Sequence, residues 1–286
     1  MKIGAMVESF RLGFRGGVEK AASLGVEGVQ VYTVRGELAP ENMTAGKIRE
    51  TLDIVRSNGL VFSALCGDFG HNYSTDEDHT PAIERSKRIL DLSRELGCNV
   101  VTTHIGQVPE EECREKEIMR KNCRQLAEYA DSIGAAFAVE TGPEKGRTLG
   151  EFLDSLGANG LRVNFDPANL VMCVDDRPEN ALKYLGKYVV HTHAKDGIML
   201  KKKVEQALTI GEEAKEHAAL LAMGHEYLEL PLGEGDVDFD TYLPALASTG
   251  FDGFLTIERE VGDSPEKDIA LAVSFLREKL AKFNLG

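Results

Sequence analysis

The hydrophobic and polar positions of this chain repeat one local pattern. A segment with apolar residues at helical spacing ends in glycine, and a β-branched or aromatic run follows almost at once. The pattern is clearest in Leu24-Gly25-Val26-Glu27-Gly28-Val29-Gln30-Val31 and in Thr249-Gly250-Phe251-Asp252-Gly253-Phe254-Leu255-Thr256-Ile257. Looser copies occupy 58–62, 96–101 and 133–139. A glycine just past a helix takes the left-handed backbone of the cap without strain, so the chain can turn directly into a strand. Repeated this often, the pattern implies βα units feeding a parallel sheet, whose strands are covered on both faces and read as apolar runs.

Eight strands are expected, near 2–6, 28–33, 61–66, 99–105, 136–140, 161–166, 189–194 and 253–258. Amphipathic helices are expected between them, near 13–24, 44–58, 81–96, 110–133, 148–156, 178–186, 241–249 and 264–282. Thr44, Pro81, Pro178 and Ser264-Pro265 stand where helices start. Eight βα units in 286 residues fit an α/β fold with a closed (β/α)8 architecture, a single TIM-barrel domain over 1–286. No G-x-G-x-x-G follows a strand, which removes the dinucleotide fingerprint of the rival open sheet. One connection is abnormally long, 197–240 after strand seven. Its part Val204 to Met223 has helical spacing through Ala207, Leu208, Ala218 and Leu221, and Tyr227 to Asp236 reads as extended and then turning. At the catalytic end of a barrel, such a segment is expected to be a lid or an interface.

Charge narrows the function. Lys and Arg number 33 against 47 Asp and Glu, a net charge of -14. That field repels a phosphate backbone, so no nucleic-acid partner is expected. No apolar run approaches the roughly 18 residues of a membrane span, and Met1-Lys2-Ile3-Gly4 runs straight into strand-like sequence without signal-peptide anatomy. The five cysteines (66, 98, 113, 123, 173) are odd in number and form no C-x-x-C pair, so they read as reduced thiols of a cytoplasmic protein. Cys66 and Cys173 have no His or Asp at a diagnostic spacing, which argues against a cysteine nucleophile.

Barrel enzymes place chemistry at the C-terminal ends of their strands. Strands four to eight end in Thr103-His104, Val139-Glu140, Phe165-Asp166, Thr192-His193-Ala194-Lys195 and Ile257-Glu258. Five consecutive ends able to bind metal or move a proton, converging on one rim, exceed what contact with water explains. Glu140, Asp166, His193 and Glu258 form a candidate cage of three carboxylates and one imidazole. Such a donor set suits Mn2+ or Mg2+, with Co2+ or Zn2+ as further candidates. Without a cation, three clustered carboxylates would raise one another's pKa steeply. Around a cation they can chelate adjacent sugar oxygens, and Glu140 or Glu258 can take a proton alpha to the carbonyl. Individually, Asp166-Pro167 also fits a turn, and His191, which shares a face with His193, reads as packing. His104 reads as a substrate contact or a structural group, and Lys195 as a substrate donor or a solvated charge. His71 and His225 read as loop surface, and Lys201-Lys202-Lys203 as a solvated face.

At these residues the sequence resembles the sugar phosphate isomerase/epimerase superfamily, the xylose isomerase-like TIM barrels. The carrying motifs are Val-Glu-Thr-Gly at 139–142, Asn-Phe-Asp-Pro-Ala-Asn-Leu at 164–170, His-x-His-x-Lys-Asp at 191–196, Gly-Glu-Gly-Asp-Val at 233–237 and Glu258. The resemblance implies metal ligation by Glu140, Asp166, His193 and Glu258. It also implies acid/base exchange by Glu140 and Glu258 on opposite faces of an enediolate. Ketose 3-epimerases of the superfamily carry His where Asn169 stands, and a substrate-holding Glu where Gly146 stands, with Glu144 nearby. His104, Glu144, Asn169 and Lys195 are therefore the expected substrate contacts. The His-x-His-x-Lys-Asp form is closer to keto-inositol dehydratases and keto-sugar lyases, so two reactions are expected: isomerisation or epimerisation of a small sugar, or β-elimination through the same enolate. An endonuclease of the same superfamily would need more His ligands and a basic groove, and a non-catalytic barrel would be indifferent to Glu258. The superfamily also leads to the expectation of a homodimer or homotetramer, with a second polypeptide as the alternative.

Overall fold

The computed structural model describes residues 1–207 and 211–286. Eight parallel strands close into a barrel: β1 (Lys2–Met6), β2 (Gly28–Tyr32), β3 (Val61–Cys66), β4 (Val100–Thr103), β5 (Ala136–Glu140), β6 (Leu161–Phe165), β7 (Val189–Ala194) and β10 (Phe254–Ile257). Each pairs with its sequence neighbours and β10 closes on β1, with Lys2 opposite Phe254 and Ala5 opposite Ile257. The parallel crossovers are α1 (Gly13–Ser23), α2 (Ala45–Ser57), α3 (Thr80–Leu96), α4 (Arg114–Ser132), α5 (Gly146–Leu156), α7 (Pro178–Leu185) and α10 (Phe239–Ser248), with α11 (Pro265–Phe283) following β10. Thr44 caps α2 by accepting the Lys47 backbone N–H at 3.2 Å. The core lies between strands and helices. Phe165 of β6, for example, stacks on Tyr242 of α10, with ring centroids 5.6 Å apart.

Three elements depart from the expected pattern. Asp166-Pro167 opens a helix, α6 (Pro167–Val174), instead of a turn. The Asp166 carboxylate accepts from the Ala168 and Asn169 backbone N–H groups, and Pro167 fills a first-turn position that lacks a partner anyway. The segment 197–240 contains an antiparallel pair, β8 (Asp196–Met199) and β9 (Tyr227–Leu230), with α8 (Leu200–Gln206) and α9 (Glu212–Ala222) at its tip. The expected helical run across Leu208 falls partly outside the described residues. The lysine run is also less solvated than its composition suggests, since Lys202 pairs with Asp175 and Lys203 with Asp236 at 2.6 Å.

The hairpin is fastened to the barrel at its base. Asp196 accepts four backbone N–H groups, from Gly197 (2.8 Å), Gly233 (2.9 Å), Gly235 (3.0 Å) and Val237 (3.1 Å). This explains the Gly-Glu-Gly-Asp-Val motif physically. Gly233 has a φ of +91°, and a Cβ on Gly235 would overlap Asp196 Oδ1 and the Gly197 nitrogen. Among the described residues no helix is long and apolar enough to cross a membrane, and all five cysteines are unpaired.

Candidate metal centre

Glu140 is the last residue of β5, Asp166 follows β6, His193 lies near the end of β7 and Glu258 follows β10. The strands are parallel and staggered, with Glu140 opposite Asn164 and His193 opposite Thr256, and all four side chains reach one point at this end. One ligand atom from each lies within 4.8 Å of the others, and all four residues are buried. His193 Nδ1 is 3.3 Å from Glu258 Oε2, 3.4 Å from Glu140 Oε1 and 3.7 Å from Asp166 Oδ2. Burial disfavours the charge on His193, but Glu258 and Glu140 outweigh it and hold the imidazole well above its ordinary pKa. Burial likewise works against ionised Glu140 and Glu258, yet His193 keeps both below the usual carboxylate range, helped at Glu258 by Lys195.

The surrounding hydrogen bonds orient these groups. Asn164 Nδ2 donates to Glu140 Oε2 at 3.1 Å, and Asn169 Nδ2 donates to Glu140 Oε1 at 3.0 Å. Thr141 Oγ1 donates to the Asp166 carbonyl and accepts the Asp166 N–H, both at 2.8 Å. Asp166 Oδ1 is consumed by the helix cap, whereas Asp166 Oδ2 is buried with no hydrogen-bond partner among the described residues. An orphaned carboxylate oxygen beside two glutamates and an imidazole is what a bound divalent ion would satisfy. The donor set of three carboxylates and one nitrogen fits such an ion.

Gln30 completes the arrangement. Its Oε1 lies 2.8 Å from His191 Nε2 and 3.2 Å from His193 Nε2, and its Nε2 donates to Thr102 Oγ1 at 3.1 Å. With both imidazole Nε2–H groups donating to one amide oxygen, His193 presents Nδ1 to the cluster. Burial, reinforced by neighbouring His193, holds His191 well below its ordinary pKa and so neutral, as a packing residue would be.

The expected substrate contacts divide. His104, Asn169 and Lys195 line the same cavity as the cluster. His104 Nδ1 sits 2.9 Å from Asp68 Oδ2; burial opposes its charge, but the Asp68 hydrogen bond and the negative field of Glu140 push its pKa up to about 9. Lys195 Nζ donates to Glu258 Oε2 at 3.0 Å and to Glu260 Oε2 at 2.5 Å, and lies 3.8 Å from Glu229 of β9. Glu144 is outside the lining: its Oε2 accepts the Val108 backbone N–H at 3.0 Å, and burial pushes its pKa up to about 7. Cys66 also lines the cavity, but burial drives its thiol far above its usual pKa. Of the residues expected on loop surfaces, His225 is exposed, while His71 is half-buried with its ring near Phe69, Tyr73 and His79.

With this geometry in view, the model of the xylose isomerase-like TIM barrel matches residues 18–279. The chain belongs to that family. Among solved structures, this xylose isomerase-like barrel is similar to a xylose isomerase domain protein from Planctomyces limnophilus. That pair is 26% identical, with a TM-score of 0.77 over 98% of this chain and 97% of the other. A probable 3-DHS dehydratase from Bacillus anthracis matches at 20% identity and TM-score 0.75, over 97% of this chain and 99% of that one. D-psicose 3-epimerase from Clostridium cellulolyticum matches at 16% identity and TM-score 0.73, over 98% and 99%. No curated protein matches the chain.

Four participants carry signals that strand-end reading passed over. Gln30 is an amide within the otherwise apolar β2 run, and Asn164 is an amide in β6 one residue before Phe165. Asp68 follows the end of β3 just as the other rim residues follow theirs, and Glu260 stands two residues past Glu258.

Proposed function

We propose that this protein is a divalent-metal-dependent isomerase or epimerase of a small sugar or keto-sugar, taking a proton from the carbon beside the carbonyl and returning one to the enediolate through Glu140 and Glu258. The observation that carries this reading is the four-residue cluster with its unpartnered Asp166 Oδ2. Glu140, Asp166, His193 and Glu258 would hold the ion, whose contribution when bound is Lewis-acid polarisation of a ketose carbonyl. The two glutamates enter from β5 and β10, strands separated around the barrel by β6 and β7, so they approach a substrate from different directions. One can accept the proton on the carbon next to the carbonyl, and the other can return it. Asn164 and Asn169 hold Glu140 in position, and Lys195 donates to Glu258.

The experiment is solvent deuterium exchange followed by NMR. With Mn2+ or Mg2+ and a panel of free ketoses, deuterium is expected at the carbon beside the carbonyl, and Glu258→Gln is expected to lose it. Absence of exchange with every ketose and every divalent ion would count against the reading. A second reading, β-elimination from a keto-sugar or keto-inositol, is favoured by one observation. Lys195 places an ammonium at the cavity beside Glu258, where it can assist a departing oxygen. Appearance of a conjugated enone with loss of water, and no interconverted sugar, would select it.

A further inference from the structure

The cavity beside the cluster encloses about 370 Å³. Besides His193, two cationic side chains line it among the described residues, and both are already engaged. His104 faces Asp68, and Lys195 is gripped by Glu258 and Glu260 at 3.0 and 2.5 Å. Basic residues that follow β2, β5 and β10 in the chain do not line it. Arg259 Nη1 donates to Glu229 at 2.6 Å and its Nε to Asp268 at 2.8 Å, Arg147 pairs with Glu151, and Arg35 and Lys145 stand outside the lining. Glu260 differs from the other acids here. Its side chain is 56% exposed, it belongs to the segment after β10, and its position leaves the cluster complete without it.

We infer that Glu260 is a specificity-determining residue: by holding Lys195 it withdraws the cavity's ammonium from ligands, so the site admits uncharged keto-sugars and rejects phosphate esters and carboxylates. This rests on the reading of the cavity as a metal-dependent sugar site. The charge balance supports it. His104 and Asp68 cancel, and the carboxylates of Glu140, Asp166, Glu258 and Glu260 exceed the charge of Lys195 and one divalent ion by about one unit. A phosphate ester would bring roughly 1.5 to 2 further negative charges at pH 7. In a partly enclosed site with a reduced dielectric, like charges repel far more than in water. A neutral polyol meets none of this repulsion and can still hydrogen-bond to Asn169, His104 and the carboxylates.

Isothermal titration of the Mn2+-saturated protein with D-fructose and with D-fructose 6-phosphate tests the inference. The wild type is expected to bind the free sugar at least tenfold more tightly than the phosphate. Glu260→Gln, which keeps the side-chain shape and removes the nearer of the two carboxylates that hold Lys195, is expected to narrow that ratio by about tenfold. Glu128→Gln, exposed on the outer face of α4, removes the same formal charge remotely and is expected to leave the ratio unchanged. A wild type that binds the phosphate as tightly as the sugar overturns the inference while leaving the sugar reading intact. A ratio that Glu260→Gln does not move, or that Glu128→Gln moves equally, also overturns it. Mn2+ binding with no response, in any variant, to these two ligands or to any other ketose and ketose phosphate overturns the sugar reading itself, and this inference with it.

Discussion

Asp166→Asn separates a metal-ligand role from a structural one, because the two carboxylate oxygens do different things. The side chain is 0% exposed; Oδ1 caps α6 through Ala168 and Asn169, and Oδ2 has no hydrogen-bond partner. An asparagine can keep its carbonyl on the cap and turn its amide toward Glu140 and Glu258, both of which accept. Without metal, the substitution removes a buried unsatisfied acceptor, and relief of at most about 1–3 kcal/mol follows, less the lost attraction to the His193 imidazolium 3.7 Å away. With metal, it removes a ligand. An ion present at 100 times its Kd stabilises the wild type by about 2.7 kcal/mol. At roughly 2.1 cal/mol/K per residue, unfolding 286 residues carries about 0.6 kcal/mol/K, so the ion should raise Tm by about 4–5 °C. The metal-free variant should melt at most about 2–5 °C above the metal-free wild type, and its own metal shift should vanish. Scanning calorimetry after dialysis against chelator, then with Mn2+, Mg2+, Co2+ or Zn2+, measures both. A wild type whose Tm no divalent ion moves, or a variant that retains the full shift, refutes the reasoning.

Three further outcomes follow from particular contacts. Gln30→Leu removes the amide oxygen that orients His191 and His193 and leaves two buried N–H groups without an acceptor; metal affinity is expected to fall about 10- to 100-fold by calorimetric titration. Glu144 is held protonated up to about pH 7 in the folded chain against 4.5 as its ordinary value, so it weakens the fold as pH rises through that window and adds nothing below it. Glu144→Gln keeps an acceptor for Val108 and should therefore stabilise by up to about 3 kcal/mol at pH 8 and by nothing at pH 4 in urea titrations. Gly235→Ala forces a Cβ into Asp196 and the Gly197 backbone, costing about 1–3 kcal/mol and speeding proteolysis of 197–240 before the barrel is cut.

The barrel was legible because its signals are local. Each helix-glycine-strand unit states its own boundaries, and β-strand ends in this architecture point at one rim, so Glu140, Asp166, His193 and Glu258 could be placed without knowing any long-range contact. What stayed hidden depends on partners far along the chain. Gln30 matters through His191 and His193, more than 160 residues away, and nothing adjacent to Gln30 announces them. Asp166-Pro167 starts a helix and a turn with the same capping chemistry, so the short apolar α6 was indistinguishable from loop. Glu144 sits close to the rim in sequence, yet loop geometry turns its carboxylate to Val108. The engagement of Lys195 by Glu229 and Glu260 required knowing that the inserted hairpin folds back beside β10.

That hairpin bears on how ligands enter and leave. Its base is stitched at two places, by Asp196 with four backbone donors and by Glu229, which takes the Arg259 guanidinium and the Glu260 backbone N–H. Swinging the whole arm outward would strand a buried carboxylate on each side. Ligands passing Tyr227, which is 48% exposed at the cavity wall, therefore meet an arm whose root stays fixed as masonry.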